Sequence, residues 1–213
     1  MLVLRNPNGL SYAVIALLAG NIVFDVLLGL VDVRDLTAQD PLSTGPAGVG
    51  ALNLGVAYSM AFTVYVATAV VFIVWFYRLR KNAEVWAGDL QTRKPGYAIG
   101  GWFIPIGNFW IPRAVAVEIW RASRWEPYAA DGKRELTLLN SWWTCLLAAN
   151  ITNWISGKLF QSAQTVAEYD TASTWSLAGY ALDIVAAVLA ILFVRRLTSM
   201  QHAKATGMIP AAQ

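Results

Sequence analysis

The sequence predicts an all-α, polytopic membrane protein, on three observations. Apolar residues make up 57% of the 213 and charged residues only 14%, too few charges to coat a soluble domain of this length. Four apolar runs reach roughly the twenty residues that a helix needs to cross a bilayer. Between the second and third runs lies a Trp- and Pro-rich stretch that holds ten of the sixteen Lys and Arg residues.

The first run, Ser11 to Leu30, is too long for the apolar core of a signal peptide. Ala16-Leu17-Leu18-Ala19 has a small-residue pattern, but hydrophobicity continues past it, so the run is read as an uncleaved span over residues 11–30. Residues 31–50, with Asp32, Asp35, Asp40, Pro41, Gly45 and Pro46, have the composition of a polar loop. The second span covers 54–77. Gly55, Ser59, Thr63 and Ala67 recur along it at every fourth residue, a ridge of small side chains that serves either packing within the chain or a seam between copies in a homo-oligomer.

Arg78-Leu79-Arg80-Lys81-Asn82 is read as the end of that helix and the start of a platform over residues 78–135. Tyr97 to Ile111 is apolar but short of a full crossing, and Pro105 and Pro112 interrupt it. This segment is therefore expected to be re-entrant or to lie in the membrane surface. Arg113 to Trp125 fits an amphipathic helix with Arg113, Glu118, Arg121 and Arg124 on one arc and Val115, Ala116, Ile119, Trp120 and Ala122 on the other. Such a helix is expected to rest on anionic headgroups. Glu118 and Arg121, three residues apart, are positioned to pair on its surface.

The third span covers 136–156, with Trp142, Trp143 and Trp154 as interfacial anchors. The fourth covers 175–194 and stops at Arg195-Arg196; residues 197–213 read as a loose tail. Placing the lead, the platform and the tail on one side gathers fourteen of the sixteen basic residues there. The positive-inside rule then makes both termini and the platform cytoplasmic. Those basic groups alternate with tryptophans beside a membrane, where lipid headgroups are the nearest phosphates, so the pI near 9.1 does not argue for nucleic acid.

Three separated motifs recur in one order. They are Trp75-Phe76-Tyr77-Arg78-Leu79-Arg80-Lys81-Asn82-Ala83, Gly101 through Pro112 with Trp102, Pro105, Asn108 and Trp110, and Glu118-Ile119-Trp120-Arg121-Ala122-Ser123. On these motifs the chain resembles a bacterial membrane family designated domain of unknown function 4328, from about Leu54 to the fourth span. The resemblance implies a multi-span protein of the bacterial inner membrane and carries no activity, substrate or catalytic residue.

Two acids, Asp25 and Asp183, fall inside predicted spans, where a charge costs on the order of 2.5–3.5 kcal/mol. Counting helical rise from the outer ends puts both at similar depth, with Asn21 one turn from Asp25 and with Asn150 and Asn153 on the third span at matching height. These five residues form a candidate intramembrane polar pocket. It can bind a proton or cation, or it can hold the bundle together by interhelical hydrogen bonds. Lys158 at the end of the third span is expected to snorkel.

The catalytic motifs of metalloproteases, hydrolases and phosphate-loop enzymes are missing, and Asp25 and Asp183 lack the Gly-rich context of an intramembrane aspartyl protease. One Cys, Cys145, and one His, His202, exclude an intrachain disulfide and a Cys/His metal site. No enzyme, cofactor or metal is expected. The favoured reading is a non-catalytic accessory or scaffold protein of the inner membrane. It would bind lipid headgroups or a protein partner through Arg78, Arg80, Lys81, Asn82, Trp102, Pro105, Asn108, Trp110, Pro112, Glu118, Trp120, Arg121 and Arg124. The alternative is a small transporter or channel-like protein that uses the Asp/Asn pocket.

Overall fold

The structure, a computed structural model, describes residues 4–37 and 54–207. Six α-helices follow one another: α1 Asn8–Thr37, α2 Leu54–Ala87, α3 Tyr97–Gly100, α4 Ile111–Ser123, α5 Thr137–Ser162 and α6 Val166–Gly207. A 3₁₀ turn, Gly107–Phe109, precedes α4, and the described residues contain no strand. Three helices, α1, α2 and α6, are long and apolar enough to cross a membrane. The helix α5, of 26 residues, is not among these three.

Four helices outrun the ends expected for them, α5 reaching Ser162 where residue 156 was expected. The helix α1 continues to Thr37, so Asp32 and Asp35 are helical rather than part of a loop; the rest of the expected loop, from residue 38, lies outside the described residues. The helix α2 runs through the basic cluster to Ala87, and α6 runs through the expected loose tail to Gly207. Both extensions carry residues whose partners are remote in sequence. Asn82 Nδ2 donates to Arg5 O at 2.8 Å and to Gln201 Oε1 at 2.9 Å, and Gln201 Nε2 in turn donates to Leu79 O and Ser123 Oγ. Buried amides that satisfy one another in this way hold polar helix ends in place.

The chain divides into two compact units, each assembled from several helices. The first comprises residues 1–16, 68–143 and 189–213, and its core is aromatic. Phe193 stacks on Trp142 with ring centroids 4.7 Å apart and on Trp120 at 6.2 Å, and meets the edge of Trp75 at 6.1 Å. Phe72 touches Trp75, Phe76, Trp102 and Trp142. Trp142 and Trp143 are therefore core residues, 3% and 5% exposed, and not the interfacial anchors their position suggested. Trp154, by contrast, is 66% exposed, as an anchor would be.

The second unit comprises residues 17–67 and 144–188. Close approaches at glycine set its helix contacts. A β-carbon at Gly20 would meet Val64 Cγ1 at 3.5 Å, and one at Gly179 would lie 2.1 Å from Asn153 Oδ1 and displace that side chain.

Candidate functional site

Two groups of residues were singled out by sequence, and each lies within one unit. In the first unit the segment from Tyr97 to Trp110 is a compact knot. Gly101 and Gly107 have no room for a side chain: a β-carbon would approach Tyr97 O at 2.6 Å in one case and Ile104 and Ile111 at 2.8 Å in the other. Between them Ile106 adopts φ 63°, ψ −48°, a conformation that a β-branched residue accepts only at a cost of about 1–3 kcal/mol. Local hydrogen bonds hold the turn: Gly107 N donates to Pro105 O at 2.6 Å and Asn108 N to Ile104 O at 3.0 Å. Trp143 Nε1 donates to Phe109 O at 3.0 Å and ties the knot to the aromatic core. The knot turns apolar side chains outward: Phe103 is 73% exposed, Ile106 69% and Trp110 55%. Trp102 points the other way, edge-on to Phe72, Phe76 and Trp143.

The helix α4 does not lie on a surface. Pro112 occupies its first turn, where a missing N–H costs nothing, and nine of its thirteen residues are buried, including Glu118 and Trp120. The arc expected to face headgroups meets protein acceptors instead, and Glu118 on it is buried. Arg113 donates to Asn140 Oδ1, Arg121 to both oxygens of Asp131, and Arg124 to Glu135 Oε2 and to the carbonyls of Pro127 and Ala129. Trp120 Nε1 donates to Glu135 Oε1 at 3.0 Å. Glu118 pairs with Arg93 and accepts from Thr92, not from Arg121.

The basic cluster on α2 is committed in the same way. Arg78 donates to Asn6 O at 2.7 Å, Lys81 pairs with Glu84 at 2.6 Å, and Arg80, 1% exposed, pairs with Glu84 and donates to Arg93 O. Lys204, near the end of α6, donates to Ala122 O and Arg124 O and sits 5.4 Å over the Trp86 ring. It closes the carbonyl end of α4, a role no local sequence signal announces.

The Arg121 guanidinium holds the Asp131 carboxyl below its ordinary value of 3.8, mainly through the hydrogen bond it donates. The stabilisation from this bridge is complete above that value and is lost as pH falls through the lower folded value. The bridge is partly open to solvent, so acid titration of unfolding in Asp131→Asn is expected to differ from wild type by no more than about 1 kcal/mol, with the difference vanishing in acid.

In the second unit, Asn153 Nδ2 donates to Asp183 Oδ2 at 2.6 Å, through the gap that Gly179 leaves. Asp25 of α1 lies close enough to Asp183 to interact electrostatically, and so does Tyr65 of α2, which sequence reading did not single out. Asn150 turns to Leu146 O on its own helix and is exposed, and Asn21 donates to Leu17 O. Lys158 contacts Gln161 and no acid. Of the pocket residues, Asp25, Asn153 and Asp183 come together. The small-residue ridge of α2 borders a groove of about 450 Å³ lined by Gly55, Val56, Ser59, Met60, Thr63 and Val64.

Among the described residues no set of His, Cys, Asp and Glu is arranged to hold a metal ion. The long apolar helices and the polar contacts made within them define an all-helical membrane protein. The family profile described as Domain of unknown function (DUF4328) matches residues 42–199, and the chain belongs to that family. No curated protein and no solved structure matches it.

Proposed function

We propose that this chain is a non-catalytic accessory or scaffold protein of the bacterial inner membrane, with α1, α2, α5 and α6 as four spans and the platform on the cytoplasmic side. The orientation rests on the distribution of Lys and Arg, and the fourth span on the 26-residue length of α5. The apolar knot carries the functional reading: Phe103, Ile106 and Trp110 project outward from a strained turn backed by a close-packed aromatic core. A rigid apolar projection beside a bilayer is suited to insertion among headgroups and upper acyl chains. The platform then engages lipid through these side chains rather than through Arg78, Arg80, Arg113, Arg121 and Arg124, which are already bonded within the protein.

Nitroxide labelling tests this reading. With Cys145, the one native thiol, replaced by Ala, Phe103→Cys is labelled and the protein reconstituted in anionic vesicles. Collisions with oxygen should dominate over those with a water-soluble nickel chelate. Chelate access equal to that of a label at Glu126→Cys, an exposed residue outside the knot, overturns the lipid-insertion reading.

A further inference from the structure

Along α1, Asp25, Gly29 and Asp32 recur at intervals of four and three residues, a single stripe two turns long. The space beside Gly29 belongs to α6: a β-carbon there would meet Tyr180 Cδ2 at 3.6 Å and Leu177 Cδ2 at 3.7 Å. This stripe therefore packs on the face of α6 that carries Ser176, Tyr180 and Asp183, whose outer members are also seven residues apart. Tyr58 and Tyr65 repeat the same interval on α2. Two polar storeys result, about 10 Å apart along the helices.

The deeper storey holds Asp183 with Asn153, Asp25 and Tyr65. In the other storey Asp32 lies beside Ser176, and Tyr180 beside both Ser176 and Tyr58. Asp32 is only 7% exposed, and its Oδ2 has no hydrogen-bond partner among the described residues. A buried carboxylate oxygen left bare is costly, and a bound proton or water removes that cost. The groups acting electrostatically on these acids are themselves acids or tyrosines: Asp183 on Asp25, and Asp35 on Asp32, which also lies beside Tyr58 and Tyr180; from α5 the neutral Asn153 meets Asp183. Among the described residues none of the three acids forms an ion pair.

We propose that this seam is a proton relay in which Asp32 takes protons from water and delivers them, through the hydroxyls of Ser176 and Tyr180 and intervening water, to the Asp25–Asp183 pair. Each transfer breaks one O–H bond and forms another. Asp32 is left as a carboxylate that recovers its proton from water, and the pair gains one positive charge. The relay uses none of the platform residues and stands independently of the lipid-insertion reading.

Infrared spectroscopy of the full chain in liposomes, following a step in external pH, reads the relay directly. A carboxylic-acid band should grow on acidification and be lost in Asp25→Asn or Asp183→Asn. In Asp32→Asn the band should grow at least about tenfold more slowly, equivalent to about 1.4 kcal/mol on the barrier. Tyr180→Phe keeps the ring against Gly29 and removes only the hydroxyl, so it should slow growth without disturbing the fold. A band indifferent to external pH identifies the acids as structural and overturns the proposal, as do unchanged rates in both Asp32→Asn and Tyr180→Phe.

Discussion

Phe193→Ala is expected to lower the stability of the protein by about 3–5 kcal/mol, the range for removing a fully buried aromatic ring. Its ring is wholly inaccessible and stacks on Trp142 and Trp120 while meeting the edge of Trp75, so its loss opens a cavity walled by three indoles. Indoles cannot collapse into that space without leaving their rotamers, and Trp75 and Trp120 are each fixed by a hydrogen bond, to Thr198 and to Glu135. Phe193→Leu, which refills most of the volume, should recover roughly half of the loss. Thermal unfolding in detergent, read by tryptophan fluorescence, checks both variants. A melting temperature unchanged by Phe193→Ala would show that the aromatic cluster does not hold the first unit together.

Glu118→Ala is expected to cost about 1–3 kcal/mol, for a different reason: its carboxylate is buried while its partner Arg93 is 36% exposed. The carboxylate is 8% exposed and is the acceptor for Arg93 and Thr92, and its backbone carbonyl takes a bond from Gln91. Removing it leaves the Arg93 guanidinium without its partner and takes a neutralising negative charge away from the buried Arg80. Glu118→Gln retains an acceptor and should be milder. The double-mutant cycle with Arg93→Ala should return a coupling of at least about 1 kcal/mol, and additive losses would refute the pairing.

The apolar runs and, to within two residues, the start of α4 beside Pro112 were legible in the sequence because hydropathy and proline chemistry are local. The surroundings of α4 were not. Whether its basic residues face headgroups or protein depends on Asp131, Glu135 and Asn140, which the intervening loop and the first turn of α5 bring back to it. The extensions of α2 and α6 were missed for the same reason, since Asn82 and Gln201 stand 119 positions apart. In the polar pocket, helical rise predicts depth but not rotation. Asn153 and Asp183 met as counted, while Asn150, at a matching height, faces away from them. Tyr65 escaped notice because a tyrosine in an apolar run carries no charge to question.

The contact between Lys204 and the carbonyl end of α4 bears on the order in which the chain matures. The helix α4 is synthesised some eighty residues before the ammonium that closes it, and Asn82 waits still longer for Gln201. Throughout the synthesis of α5 and most of α6, the carbonyl end of α4 is therefore without Lys204, and Asn82, though it has Arg5, is without Gln201. Completion of the first unit is a late event, set by the emergence of the final turns of α6, and quality control that senses exposed polar backbone has that whole interval in which to act on the nascent protein.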